Sequence, residues 1–191
     1  MERIVLASGS PRRQELLRRI GLTDFTVRVP HVEESYPADL SPREIVSYIS
    51  RKKSLALPSE ADEIVITADT LVFLDDRRLG KPRDEADALK MLTALAGREH
   101  TVCTGVTVRQ GAEKILTRSA ATKVWFRPAS RSELLAYLRG GEPMDKAGAY
   151  GVQGQGSLLV ERIDGDFFNV MGLPVVLLSS MLEDFGVTLL K

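Results

Sequence analysis

The chain has 191 residues, of which 43% are apolar, and it balances 26 basic against 26 acidic residues around a single cysteine. This length holds one large domain or two small lobes, and the near-zero net charge argues against bulk binding of nucleic acid, which needs a basic excess. Cys103 alone excludes an internal disulfide framework and suits a reducing compartment, and no stretch approaches the ~20 apolar residues of a membrane span.

The short apolar run near the N-terminus is too short for a signal-peptide core, so the expectation is a soluble cytoplasmic protein. Residues 3–7 (RIVLA) read as a buried strand. Residues 11–20 follow as a helix with Leu16, Leu17 and Ile20 on one side and Gly21 as its stop. Ser10 is placed to cap this helix, and Pro11 fits its first position. Arg12 and Arg13 then sit in the first turn, where the helix dipole is already positive and like charge costs on the order of 0.3–1 kcal/mol. Free N–H groups at a helix start form an anion site, and the arginine fork matches phosphate oxygens two at a time. The residues alone leave two readings open, a bound polyanion or a solvated, mildly strained helix start. No Walker A pattern occurs in the chain.

Glu33 and Glu34 follow in a loop, where a carboxylate pair is either solvated or, beside a phosphate, a source of oxygen ligands for Mg²⁺. A second helix opens at Ser41 and Pro42 in SPREIVSYISRKKSLAL. Lys53 falls four residues after Ile49 and so lies on its apolar stripe, either snorkelling at the edge or turned to function. EIVITADTLVFL (63–74) reads as a long strand interrupted by Asp69. Aspartate is disfavoured in strands and an unpaired buried carboxylate is costly, so Asp69 is expected near a sheet end, facing a cleft and paired with a cation or metal ion. A salt-bridged structural aspartate is the alternative. DDRR reads as a polar turn leading into LGKP, and a hairpin there would bring Lys81 within a couple of residues of Asp69 across the ladder.

A helix over Asp84 to Ala96 stops at Gly97. TVCTGVTVRQGAEKILTRSAATKVWF reads as two strands around Gln110-Gly111, with Trp125 as core packing. Ser130 and Glu133 form a capping box for a helix ended by Gly140 and Gly141. The segment 144–156 (MDKAGAYGVQGQG) carries four glycines in thirteen residues, which permits close approach of the backbone to a ligand. Gln153 there offers an amide that both donates and accepts, as reading a base edge requires. GSLLVERIDGDFFNV reads as a strand pair around Asp164-Gly165, and a last helix opens at Pro174. His31, His100 and Cys103 are too few and scattered for a zinc site. Interspersed strands and helices predict a mixed-sheet α/β protein.

LASGSPRRQELL, the Glu33-Glu34 pair, ADTLV, GKPRD, TGV, DKAGAYGVQG and GLP occur in the order and spacing of the Maf family of nucleoside triphosphate pyrophosphatases, and the resemblance covers essentially the whole chain, 1–191, as one Maf-type domain. It implies a long bent mixed sheet flanked by helices, with two lobes around a nucleotide cleft, as in the inosine triphosphate pyrophosphatases. It implies hydrolysis of a nucleoside triphosphate to the monophosphate plus pyrophosphate with a divalent metal, Mg²⁺ or Mn²⁺, in housecleaning of nucleotide pools and with a link to cell-division arrest. Ser8, Arg12, Arg13, Lys53 and Lys81 match the family's phosphate-handling positions. Asp69 matches its proton acceptor, Glu33 matches a carboxylate near the metal, and Asp69 is also expected to hold the metal, with Glu33. Arg12, Thr70 and Gln153 match the positions separating the subfamilies and follow the dTTP/UTP pattern. The 7-methyl-GTP branch tends to carry tryptophan, glutamine and glutamate there. Lys52 stands where the family commonly has glutamate and reads as a surface change. The implied partner is the nucleotide substrate, with neither nucleic acid nor membrane, in a monomer or homodimer. The rival readings are a 7-methyl-GTP or purine-type pyrophosphatase on the same fold and a non-catalytic division regulator.

Overall fold

The computed structural model describes residues 3–190. Among these residues seven strands, β1 (Arg3–Leu6), β2 (Phe25–Val27), β3 (Glu63–Leu74), β4 (Arg77–Leu79), β5 (Glu99–Gln110), β6 (Lys114–Phe126) and β7 (Val160–Asp164), are interspersed with six α-helices. These are α1 (Pro11–Arg19), α2 (Pro42–Leu55), α3 (Glu85–Leu95), α4 (Arg131–Arg139), α5 (Phe167–Met171) and α6 (Val175–Glu183). The strands form one sheet in the order β2-β1-β3-β5-β6-β7, with β4 paired to β3. β1 runs parallel to both β2 and β3, whereas the β3–β4 and β6–β7 pairs are antiparallel, so the sheet is mixed as the sequence predicts. No helix among the described residues is long and apolar enough to cross a membrane.

The chain divides into two compact units. The first comprises the chain through Asp69, then Thr104–Ala120, and the residues from Gly172 onward. Its core includes Leu16 and Leu17 of α1, Val46 and Ile49 of α2, Ile64 and Ile66 of β3, and Leu178, Met181 and Leu182 of α6, all fully buried. The apolar stripe read for α1 and α2 is thus the buried face, and burial of such side chains contributes roughly 1.5–3 kcal/mol each. α2 approaches β5 so closely that a Cβ on Gly105 would stand 2.2 Å from the Val46 carbonyl oxygen. Beside that contact Ser50 Oγ and Thr107 Oγ1 lie 3.0 Å apart, and Thr67 donates to the Ser50 carbonyl at 2.9 Å. Arg109 closes the end of α2, donating to the carbonyls of Ser54 at 2.8 Å and Leu57 at 2.6 Å.

The second unit comprises Thr70–Cys103 and Ala121–Met171. Val72 and Leu74 of β3, Leu92 and Leu95 of α3, Phe126 of β6, and Leu134 and Leu138 of α4 belong to its core. His100, Phe126 and Tyr150 meet edge-on within it, with ring centroids 4.7–5.4 Å apart.

Several sequence expectations need correction. Ser10 takes the N-cap position of α1, but its side chain makes no capping bond; its own N–H donates to Ser8 Oγ at 3.2 Å. Arg77 and Arg78 belong to β4 rather than to a turn, and the three-residue β2 gives no readable alternation. The strand pair expected around Asp164-Gly165 is half right. β7 precedes the turn, but Phe167–Met171 is helical, started by the Asp166 carboxylate accepting the Phe168 N–H at 2.8 Å. Buried Asn169 fastens that turn to the Val102 carbonyl at 3.0 Å and Thr122 Oγ1 at 2.9 Å. Trp125 is only half-buried and lies under the Arg162 guanidinium at 4.3 Å.

Candidate active site

The parallel pairing of β1 with β3 ends at Leu6 and Ile66, and the Ala7 N–H extends it by one bond to the Ile66 carbonyl. Beyond the carboxyl ends of parallel strands is where α/β sheets place ligands. Two groups meet there, the Gly-Ser-Pro turn into α1 and the Ala68-Asp69 end of the first unit.

Asp69 is 4% exposed, although apart from Glu63 at its start the strand otherwise carries apolar or hydroxyl side chains. Its Oδ1 accepts from Lys53 Nζ at 2.6 Å, and Lys53 also lies 2.7 Å from Glu34 Oε1. Lys53 reaches this point from the last turn of α2, whose start is set by Glu44 accepting the Ser41 N–H at 2.9 Å. Lys52, one residue away, donates to Ser35 Oγ at 2.9 Å and to its carbonyl at 3.3 Å, holding the loop beside Glu34. The position read as a surface change therefore fastens the loop that brings a carboxylate to Lys53. Asp69 Oδ2 is buried and has no hydrogen-bond partner among the described residues. A buried carboxylate oxygen without a partner is costly unless a ligand completes it.

Arg13 also converges here, but its bonds go to protein. Nε donates to the Gly172 carbonyl at 2.8 Å, and one terminal nitrogen donates to the Ala68 carbonyl at 2.8 Å and to Ser8 Oγ at 3.1 Å. Burial lowers this guanidinium to about 10, opposed by the charge of Asp69, so it stays protonated at neutral pH. Ser8 is 6% exposed, and its Oγ accepts from both Ser10 and Arg13. Arg12, in the same helical turn, is half-buried. Glu33 is exposed and makes no ion pair among the described residues, whereas its neighbour Glu34 shares Lys53 with Asp69. Sequence reasoning saw the pair of glutamates but not which one reaches Lys53.

The remaining sequence-predicted residues lie in the second unit. Thr70 is half-buried, immediately after Asp69 in β3. Lys81 is exposed, two residues beyond the end of β4, whose last pair sets Leu79 against Val72. Gln153 is exposed in a bend that precedes a 3-10 turn, Gln155–Leu159. The glycines around it make a close approach, but to Glu142 of this same chain: a Cβ on Gly154 would stand 2.1 Å from Glu142 Oε2. Glu142 left no signal in the sequence beyond its place after Gly140-Gly141.

The residues present suit a divalent cation of the Mg²⁺ type. Such an ion is bound through one or two carboxylates, with substrate phosphates and water completing its shell, rather than by a full protein cage. Asp69 Oδ2 is an oxygen lacking a partner, Glu34 lies across the shared lysine, and no group of three or more metal-ligating side chains occurs among the described residues.

Comparison with known proteins adds four findings. A family model described as Maf-like protein matches residues 3–185. A protein of Dictyoglomus turgidum named dTTP/UTP pyrophosphatase is 48% identical over 190 residues, 98% of each chain. One of the same name from Exiguobacterium sibiricum is 48% identical over 184 residues, 96% of this chain and 93% of its own. Among solved structures, a HAM1 protein from Coxiella burnetii matches 96% of this chain and 100% of its own at a TM-score of 0.52 and 13% identity, a likeness of fold.

Proposed function

The chain belongs to the Maf family, and from that premise we propose that it is a nucleoside triphosphate pyrophosphatase acting on dTTP and UTP, releasing pyrophosphate and the monophosphate. The observation that carries the reading is the buried Asp69, held by Lys53 on one oxygen and unsatisfied on the other. A structural ion pair would satisfy both oxygens. A carboxylate poised to accept a proton keeps one oxygen open and is fixed through the other.

The chemistry follows from the parts. Asp69 Oδ2 orients a water for in-line attack at the α-phosphorus and takes its proton. Lys53 holds Asp69 in place through Oδ1 and balances its charge. Ser8, which accepts twice on Oγ, directs its own O–H to a phosphate oxygen, alongside the N–H groups of the uncapped α1 start. Arg12 neutralises phosphate charge, and so does Lys81. Arg13 acts differently from its neighbour: it fixes Ser8 and the Ala68 carbonyl and adds positive field to the same turn. Glu34, with Glu33 adjacent, would hold a divalent cation beside Asp69, and the ion would supply Lewis-acid polarisation of the phosphates. Developing charge on the leaving pyrophosphate is spread over this basic set. Thr70 and Gln153 select the base, and the amide of Gln153 matches the mixed donor and acceptor edge of uracil or thymine. The site of action is the cytoplasm, with the substrate as its partner.

The deciding experiment measures pyrophosphate release from dTTP, UTP, 7-methyl-GTP and ITP, with Mg²⁺ or Mn²⁺ and without metal, for wild type and Asp69→Asn. Pyrimidine-selective, metal-dependent turnover lost in Asp69→Asn is the expected result. Turnover of 7-methyl-GTP or ITP instead overturns the base assignment, and no turnover at all overturns the enzyme reading.

A further inference from the structure

The segment around Gln153 has no strand or helix of its own from Gly151 to Gly154, yet both of its flanks are gripped. Glu142 Oε2 accepts the N–H of Gln155 at 2.9 Å, and Oε1 accepts the N–H of Gly156 at 3.2 Å. Oε1 also accepts the Tyr137 hydroxyl at 2.9 Å, and Tyr137 Oη in turn accepts the N–H of Gly151 at 3.0 Å. One carboxylate therefore reaches the chain two residues before Gln153, through Tyr137, and two and three residues after it directly. Bonds from peptide N–H to a carboxylate are stronger than those to a neutral acceptor.

The glycines are shaped to this grip. A Cβ on Gly154 would meet Glu142 Oε2, one on Gly156 would stand 2.3 Å from the Gly151 carbonyl, and one on Gly151 would stand 2.7 Å from Lys146 Cε. Lys146 closes the base of the turn by donating to the Glu142 carbonyl and to Asp145 Oδ1 at 2.7 Å. Each hydrogen bond recorded for the Glu142 carboxylate ends in the Gln153 segment or on Tyr137, which itself binds that segment. The carboxylate thus acts on one short loop, and Gln153 is the first of the exposed residues at its crown.

We infer that Glu142 is the positioning residue for Gln153: its carboxylate sets the backbone from which Gln153 presents its amide to the pyrimidine, so Glu142 governs base selectivity without touching substrate. This rests on the reading of Gln153 as the base-contacting residue.

The test compares kcat and KM for dTTP and dCTP in wild type, Gln153→Ala, Glu142→Gln, Glu142→Ala and the double variant Glu142→Ala/Gln153→Ala. Glu142→Ala is expected to lower kcat/KM for dTTP by about tenfold or more, chiefly through KM, and to flatten the ratio of dTTP to dCTP. Glu142→Gln, which keeps one carbonyl acceptor, recovers part of the loss. The double variant is expected to be no worse than Gln153→Ala alone, because Glu142 acts through that side chain. An unchanged ratio in Glu142→Ala, or additive losses in the double variant, overturns the inference while leaving the reading of Gln153 intact. An unchanged ratio in Gln153→Ala overturns that reading first, and the inference with it. Should Glu142→Ala fail to fold, Tyr137→Phe cuts the bridge to Gly151 and is judged by the same ratio.

Discussion

Lys53 and Asp69 come from different elements, sixteen residues apart, and meet at 2.6 Å with only one of the two carboxylate oxygens engaged. The two substitutions of this pair have different expected signatures. Asp69→Asn keeps the shape and removes the proposed proton acceptor, so pyrophosphate release is expected to fall by about 10²–10⁴ with a melting temperature near wild type. Lys53→Met strands a buried carboxylate and is expected to cost about 3–5 kcal/mol as well as activity. Urea denaturation beside the activity assay separates them; equal stability losses in both would contradict the arrangement.

Arg12 and Arg13 are adjacent, yet they are expected to respond differently. Arg13→Ala removes bonds to two carbonyls and to Ser8 and should destabilise the protein by roughly 2–4 kcal/mol. Arg12→Ala should cost activity, read as a raised KM for dTTP, with a stability change under about 1 kcal/mol. Full activity in Arg12→Ala would remove it from phosphate binding.

Gly105→Ala is expected to be among the most damaging single-methyl changes in the first unit. The new Cβ would meet the Val46 carbonyl oxygen at 2.2 Å, a backbone atom that moves only with α2. A loss of about 3 kcal/mol or more, or failure to fold, is expected. Because α2 carries Lys53, whatever folded protein remains should also lose activity. Wild-type stability by urea denaturation would contradict the close contact.

His100 makes the second unit sensitive to acid. Burial, opposed only by the Arg98 backbone, lowers its imidazole from 6.5 to about 4, and Nε2 pairs with Tyr150 Oη at 2.8 Å. The folded state therefore holds the neutral ring while the unfolded chain protonates at 6.5. This contribution to stability is complete above pH 6.5 and is lost as pH falls from there toward 4. It amounts to roughly 3 kcal/mol across the window. His100→Gln, which cannot titrate, should show a correspondingly shallower fall in stability between pH 6.5 and 4, and an identical fall in both proteins would refute the assignment.

Legibility in the sequence followed from how local each cause is. β3 was readable because its long run of apolar and β-branched side chains is bounded on both sides, and α2 because Ser41, Pro42 and Glu44 mark its start within four residues. β2 and β4 are three residues each, too short for a period to show, and they exist because longer strands pair with them. Phe167–Met171 reads as strand on its aromatics, but the Asp166 cap and the buried Asn169 contacts make it helix. In the site, Asp69 stood out because a carboxylate amid apolar residues needs a reason. The preference of Lys53 for Glu34 over Glu33 depends on the path of a loop, which no local pattern encodes. Glu142 was invisible for a similar cause: its partners are peptide N–H groups thirteen and fourteen residues away, and every residue type but proline has one.

Anchoring through main chain shapes how such a protein diversifies. Glu142 grips main chain and is indifferent to the side chain at 153. A loop secured in this manner can exchange its crown residue while its frame persists, and glutamine lies one nucleotide from glutamate in the genetic code. The frame of the loop and the side chain at its crown are thus held by different residues, so position 153 can change across generations without loss of the frame.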